Sequence, residues 1–95
     1  MKGYVVCVYK SITNEDKLKE YAVKDKAAVE KYEGNFLIRG GKTTTNEGVV
    51  SPRTVVIEFS SYEEANFFYN SKEYQEAHDI LKGHAIRHHQ TLEGA

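Results

Sequence analysis

The sequence predicts an α+β protein with the element order β-α-β-β-α-β. Three observations predict it: strand-forming runs at both ends of the chain, a long helical pattern after the first run, and two β-branched runs in the middle. We expect the 95 residues to form a single domain, residues 1–95. A chain of this size buries about two-thirds of the surface that it exposes when unfolded.

The first strand is predicted over Gly3 to Tyr9, which is apolar on both faces and is therefore typical of a central strand. Thr13 or Asn14 can cap the following helix, which is expected to run to Tyr32 before Gly34 stops it. The inward stripe of this helix is predicted at helical spacing. Its members are Leu18, Tyr21, Ala22, Ala28, Val29 and Tyr32.

Asp25 falls in the middle of this stripe. A carboxylate there either reaches the edge of the helix interface or lines a polar pocket between helix and sheet, because an unpartnered buried carboxylate is costly. The sequence favours the first alternative and leaves the second open.

The two central runs, Asn35 to Arg39 and Arg53 to Phe59, predict a hairpin joined by a polar turn. With Arg39 placed near Thr54, one surface is mixed and the other is apolar. The mixed surface has Leu37 facing Val56 and Asn35 facing Glu58, and the apolar surface has Phe36, Ile38, Val55 and Ile57. This register puts an arginine and a glutamate on the same face.

Ser61 and Glu64 have the spacing of a capping box that opens a second helix. Ser71 can cap a third helical segment, which ends at Gly83 before a last strand from His84 to Leu92. The resulting order is the ferredoxin-like arrangement, with the first and third strands central and the helices on one face of a four-stranded antiparallel sheet. The face without helices carries Leu37, Val56 and the outward aliphatic residues of the first strand, which nothing in the chain covers. Such a face marks an interface, and we expect a homodimer through it.

The composition excludes several classes of protein. A net charge of −1 disfavours a nucleic-acid or anionic-membrane binder, since such proteins carry a basic excess. Cys7 is the one cysteine, so no internal disulfide is possible and a reducing compartment is expected. The apolar run after Met1 is too short for a signal peptide or a membrane span. We therefore expect a soluble cytoplasmic protein.

Four segments carry a resemblance to a known family: N-F-L-I-R-G-G from Asn35, P-R-T-V-V-I-E-F from Pro52, F-Y-N-S-K-E-Y-Q from Phe68 and L-E-G from Leu92. Together they resemble the domain-of-unknown-function 1330 family, a branch of the dimeric α/β-barrel superfamily. The resemblance implies a protomer whose open sheet face packs on a second copy to form a barrel. It implies no particular reaction. Lys72 stands where the family usually has proline, and the His-rich last strand is not typical of the family.

The family motifs include four candidate substrate-binding residues, Arg39, Glu58, Asn70 and Tyr74. Arg39 is expected to bind a carboxylate or an enolate-like oxygen while Glu58 accepts a proton, which makes these two the catalytic candidates. The alternative is that both anchor the dimer interface. Asn70 and Tyr74 can equally well be structural residues at a helix break. Arg53, next to the turn, is expected to face solvent.

We expect no metal and no cofactor. His88 and His89 point to opposite faces of a strand, and His84 and His88 lie about 13 Å apart at the usual strand rise, so these residues cannot chelate one ion. A haem ligand, as in other branches of the superfamily, is the remaining metal hypothesis.

Three functions are compatible with the sequence. The first is binding or transformation of a small organic molecule, such as a carboxylate, in a pocket between sheet and helices. The second is a non-catalytic dimeric module, which a pocket filled by aromatic side chains would favour. The third is RNA binding on the open sheet face. We set it aside because that face lacks the aromatic residues and the basic surround that RNA binding requires.

Overall fold

The sheet has the strand order β2-β3-β1-β4, and all neighbouring strands are antiparallel. We describe the protein from a computed structural model, which covers residues 1–95. The elements are β1 (Gly3–Ile12), α1 (Glu15–Lys31), β2 (Asn35–Arg39), β3 (Arg53–Phe59), α2 (Tyr62–Asn70), α3 (Lys72–Leu81) and β4 (Ala85–Glu93). Strands β1 and β3 are central, so the predicted ferredoxin-like arrangement is confirmed.

Local side-chain hydrogen bonds set where the helices begin. The Asn14 side chain accepts a hydrogen bond from the backbone three residues later, at 3.0 Å, at the start of α1. Ser61 and Ser71 do the same for α2 and α3, each at 3.1 Å. These bonds satisfy donors that the first turn of a helix leaves free, which is why the caps could be predicted from residue type. None of the three helices is long and apolar enough to cross a membrane.

The helices cover one face of the sheet, and the core lies between the two layers. Alternate residues of β1 and β3 point into it, as the period of a strand requires. The buried hydrophobic residues form one cluster: Val5, Cys7, Tyr9, Leu18, Tyr21, Ala28, Val29, Val55, Ile57, Phe59, Ala65, Phe68, Tyr74, Ala77 and Leu81. Aromatic rings make up its centre, with Phe68 lying 5.0 Å from Phe59 and 4.9 Å from Tyr74 between ring centroids.

The predicted register of the hairpin is right at one end and wrong at the other. The observed pairs are Asn35 with Glu58, Phe36 with Ile57, Ile38 with Val56 and Arg39 with Val55. The ladder shifts between Phe36 and Ile38, so Leu37 is the extra residue of a β-bulge. One extra residue reverses the alternation of the side chains that follow. Arg39 therefore lies on the helix side of the sheet, and Glu58 lies on the open side.

The open face of the sheet carries the other alternate residues of every strand. Its apolar members are Val6, Val8, Leu37, Ile38, Val56, Ile86 and Leu92. Four of them are exposed, Leu37 at 50%, Ile38 at 47%, Ile86 at 62% and Leu92 at 40% of their surface. On the same face the Tyr4 hydroxyl donates a hydrogen bond to Glu58 Oε2 at 3.0 Å. Nothing in the single chain covers this face.

Candidate functional site

A pocket lies between α1 and the helix side of the sheet, and we refer to it as the α1 pocket. Its lining consists of Val5, Cys7, Tyr9, Tyr21, Ala22, Asp25, Phe36, Arg39, Arg53, Val55, Ile57 and His89. The centre of a water molecule can occupy a volume of about 10 Å³ in this pocket, which suits roughly one water. A larger ligand would require the side chains at the mouth to move.

Asp25 is the buried acidic group of the α1 pocket. It follows Leu18 and Tyr21 at helical spacing, so the helix turns it toward the sheet with them, and only 5% of its surface is exposed. Its Oδ1 has no hydrogen-bond partner. The structure therefore realises the second of the two alternatives for this residue, a carboxylate lining a polar pocket.

Burial raises the pKa of Asp25 to about 6, against the opposing effect of the arginines Arg39, Arg87 and Arg53. Removal from water disfavours the charged carboxylate, and no arginine approaches within ion-pair distance to offset this fully. Asp25 can thus gain or lose a proton near neutral pH.

The raised pKa of Asp25 predicts a specific dependence of stability on pH. Between about pH 4 and 6 the folded state keeps the Asp25 proton that the unfolded chain has released, so the free energy of unfolding falls as pH rises through this window. Asp25→Asn removes this pH dependence. We expect the free energy of unfolding of the variant to exceed that of the wild type by about 1–3 kcal/mol at pH 7, with a smaller difference near pH 4. Urea unfolding at both pH values checks this. Glu47→Gln, on the exposed loop, is the control and should show no such pH-dependent gain.

Arg39 lies at the mouth of the α1 pocket. The β-bulge turns its side chain toward α1, where Nη2 donates a hydrogen bond to the carbonyl oxygen of Ala22 at 3.1 Å. The guanidinium lies 4.5 Å from the centroid of the Phe36 ring, a cation–π contact. The residue is exposed, so it can exchange these contacts for an entering anion at little cost.

Arg53 was expected to face solvent, and this prediction is wrong. It shares the helix side of β3 with Val55, its guanidinium lies 5.8 Å from the centroid of the Tyr9 ring, and its Nε is buried without a hydrogen-bond partner. A Cβ at Gly40, which has a φ of +72°, would overlap Nη1 of Arg53. Glycine at that position lets the loop pass over the guanidinium.

Arg87 lies behind the α1 pocket and was not a candidate from the sequence. Its Nη1 donates to the Tyr21 hydroxyl at 3.0 Å and its Nη2 to the Tyr74 hydroxyl at 3.4 Å. Both acceptors are neutral, and no carboxylate lies within ion-pair distance of the guanidinium. The sequence could have indicated its position, because the alternation of side chains along the last strand places Arg87 on the same face as His89.

The other three candidate residues lie outside the α1 pocket. Glu58 is on the open face of the sheet. Asn70 is exposed and donates its side-chain hydrogen bond to the carbonyl oxygen of Asn66 at 3.0 Å. Tyr74 is fully buried, with its hydroxyl 3.1 Å from that of Tyr21. Burial raises the pKa of Tyr74 to about 12, so its phenol stays protonated. Of the four candidates, only Arg39 lines the pocket.

The histidines of β4 point to opposite faces, as strand geometry predicts. His88 is exposed and lies opposite Val8, whereas His89 packs on the helix side, with its ring centroid 5.0 Å from that of Tyr69. No group of three or more His, Cys, Asp or Glu side chains is arranged to hold a metal ion. Cys7 is buried, and burial raises the pKa of its thiol.

The fold and the pocket define a ferredoxin-like α+β protein with a small, largely apolar pocket between α1 and its sheet, into which Asp25, Arg39 and Arg53 bring polar groups. The chain belongs to the family described as Domain of unknown function (DUF1330), whose model matches residues 2–95. No protein of curated function matches the sequence.

Solved structures confirm the fold. A dimeric ferredoxin-like protein of unknown function from Jannaschia sp. CCS1 has a TM-score of 0.79 at 12% identity, over 99% of this chain and 100% of that chain. A protein of unknown function from Rhodopseudomonas palustris has a TM-score of 0.77 at 10% identity, over 99% and 82% of the two chains. A dimeric ferredoxin-like protein from Bacteroides fragilis has a TM-score of 0.59 at 18% identity, over 98% and 96%. At these identities the similarity concerns the fold.

Proposed function

We propose that the protein binds a small organic acid in the α1 pocket. One observation carries the proposal: the two buried side-chain atoms without a hydrogen-bond partner, Asp25 Oδ1 and Arg53 Nε, both line this pocket. Leaving a buried donor or acceptor unpaired costs about 1–3 kcal/mol each. A ligand that accepts from Arg53 and donates to Asp25 would remove both penalties at once.

The charges of the site support an anionic ligand. Arg39 and Arg53 line the pocket together with a single carboxylate, that of Asp25, whose pKa of about 6 leaves it partly protonated near neutral pH. Guanidinium groups bind carboxylate and enolate oxygens through paired N–H donors. We infer that the arginines hold the acid group of the ligand and that Asp25 contacts a hydroxyl or an acidic C–H of the same molecule.

Asp25 takes the role that the sequence analysis gave to Glu58. A carboxyl group with a pKa near the working pH is suited to accept and return a proton. If the ligand is transformed, Asp25 is therefore the proton-transfer group of the proposed reaction, and the arginines stabilise the negative oxygen that forms. Binding of the acid is thus the primary function that we propose, and proton transfer by Asp25 is the reaction that would follow from it.

A second function, the non-catalytic dimeric module, is favoured by the small size of the α1 pocket. The pocket has room for roughly one water, and a single water molecule could form the hydrogen bonds that its unpaired polar atoms lack. Tyr21 and Tyr74 fill the neighbouring space, with exposed fractions of 6% and 0%. On this alternative Arg39 and Arg53 stabilise the fold and no acid binds.

A thermal-shift screen of small organic acids separates the two functions. An acid at about a hundred times its Kd stabilises the folded state by about 2.7 kcal/mol, which gives a clear rise in Tm. We expect at least one 2-oxo or 2-hydroxy acid to raise the Tm of the wild type, and Arg39→Gln to abolish the rise. Lys42→Gln makes the same change of charge on the neighbouring loop and should retain it, since Lys42 does not line the pocket. If no acid raises the Tm, the module function is supported and acid binding is not.

We further propose that the protein is a homodimer joined through its open sheet face. The exposed apolar residues there need a cover, and the two solved structures from Jannaschia and Bacteroides fragilis are described as dimeric. A second copy of the chain presents a matching apolar face. The Tyr4–Glu58 hydrogen bond would then lie within the interface, in agreement with the alternative that Glu58 is an interface residue. The α1 pocket lies on the helix side and stays open in such a dimer.

A further inference from the structure

A second pocket lies at the free edge of the sheet, between β4 and the end of α3, and we refer to it as the β4 pocket. Its lining consists of Tyr69, His78, Leu81, Lys82, Gly83, Ala85, Arg87 and His89. The room open to the centre of a water molecule is about 250 Å³. Roughly 150 Å³ is enough for a cavity to hold benzene, so this pocket can take a single ring with a polar substituent.

The charged residues and the histidines of the β4 pocket are all basic. They are His78, Lys82, Arg87 and His89, and no carboxylate is among the lining residues. The nearest acidic neighbour in sequence, Asp79, is exposed and lies 3.5 Å from His78 Nδ1. Lys82 makes no ion pair. Lys82 and Arg87 are therefore two positive charges in the pocket that no carboxylate of the protein pairs with.

Arg87 makes this positive charge unusual. Its guanidinium is half-buried and hydrogen-bonded to the two tyrosine hydroxyls and, at 3.7 Å, to the Cys7 sulfur, and it lies 5.5 Å and 5.1 Å from the ring centroids of Tyr9 and Tyr21. None of these contacts is with an anion. A partly buried cation without an anionic partner is costly, whereas an oxyanion entering the pocket would offset that cost.

One wall of the β4 pocket is aromatic. The rings of Tyr69 and His89 lie 5.0 Å apart between centroids at an angle of 52°. Burial, with smaller contributions from Arg87 and His78, lowers the pKa of His89 to about 4, so this ring is neutral at pH 7. Neutral planar faces beside basic groups suit a ligand that combines an aromatic ring with an acid group.

We propose that the β4 pocket binds a small aromatic acid, with Lys82 and Arg87 holding its carboxylate or phosphate group and with Tyr69 and His89 contacting its ring. This site is separate from the α1 pocket. His89 is the one residue that lines both, and Arg39, Asp25 and Arg53 line only the first. The β4 pocket also lies on the helix side, so the proposed dimer leaves it accessible.

Isothermal titration with benzoate, phenyl phosphate and inorganic phosphate tests the proposal at constant ionic strength. We expect benzoate or phenyl phosphate to bind, and the tighter of the two identifies the acid group. Inorganic phosphate should bind more weakly because it cannot contact Tyr69. Lys82→Gln removes a charged contact and should weaken binding by about tenfold or more. Lys19→Gln, on an exposed lysine that lines neither pocket, is the matched control and should not change binding.

Two results would overturn this inference. One is the absence of binding of both aromatic acids to the wild type at millimolar concentration. The other is an equal loss of affinity in Lys82→Gln and Lys19→Gln, which would show attraction by overall charge rather than a site. Arg39→Gln keeps the two proposals distinguishable, because it should abolish binding in the α1 pocket and leave binding in the β4 pocket unchanged.

Discussion

A Val56→Asp variant is expected to lose the dimer, and either to remain as a monomer or to unfold. Val56 lies in the middle of the open face, on central strand β3, opposite Val6 of β1 and Ile38 of β2. In the proposed dimer this side chain is covered by the second copy. An aspartate there would bury an unpaired charge, at a cost of several kcal/mol.

Light scattering at micromolar concentration, with circular dichroism for folding, measures the outcome. Val23→Asp is the control, since Val23 is 73% exposed on the outer surface of α1. The same change of residue should there leave both the mass and the fold unaltered. A folded Val56→Asp variant with the mass of a dimer would show that the open face is not the interface.

Phe68→Ala is expected to cause the largest loss of stability within the protomer. Phe68 is fully buried and contacts the rings of Phe59 on β3, Tyr32 at the C-cap of α1 and Tyr74 on α3. Removing a buried phenylalanine costs about 3–5 kcal/mol, from lost burial and from the cavity that remains. This is a large fraction of the stability of a domain of this size.

The neighbouring residue offers a matched control for this prediction. Phe67 is 61% exposed on the same helix, so Phe67→Ala should change the free energy of unfolding by less than about 1 kcal/mol. Urea unfolding of both variants gives the comparison. Similar losses for the two would contradict the assignment of Phe68 to the centre of the core.

The elements of this fold could be predicted because local chemistry defines their ends. Asn14, Ser61 and Ser71 cap the three helices that their residue types indicate. The first strand was identified as central because it is apolar on both faces, and the ferredoxin-like element order placed the third strand beside it. These signals depend on the sequence spacing of neighbours, which a single sequence displays.

The candidate site was predicted only in part, and one inserted residue explains most of the difference. No glycine or other characteristic residue type indicates the bulge at Leu37 in the sequence, yet the bulge places Arg39 on the helix side of the sheet. Arg39 therefore lines the pocket between sheet and helices instead of sharing a face with Glu58, as the predicted register had it. The partner that the structure supplies is Asp25, which the helical pattern had marked as an anomaly.

Arg53 and Arg87 illustrate a second limit. An arginine next to a turn is usually solvated, and only the path of the loop at Gly40 shows that Arg53 is partly covered. Arg87 depends on tyrosines from α1 and α3, which are distant in the sequence. Contacts of this kind arise from the packing of layers and leave no local pattern.

The most direct test of acid binding in the α1 pocket is the pKa of Asp25, measured by a carboxyl-carbon NMR titration with and without the best acid from the screen. We expect about 6 in the free protein and a shifted value in the complex, because the negative group of the ligand raises the pKa and a hydrogen bond donated to the carboxylate lowers it. An Asp25 carboxyl whose pKa and chemical shift are both unchanged by the acid, in a protein that the acid nevertheless stabilises, would place binding elsewhere and contradict the proposed site.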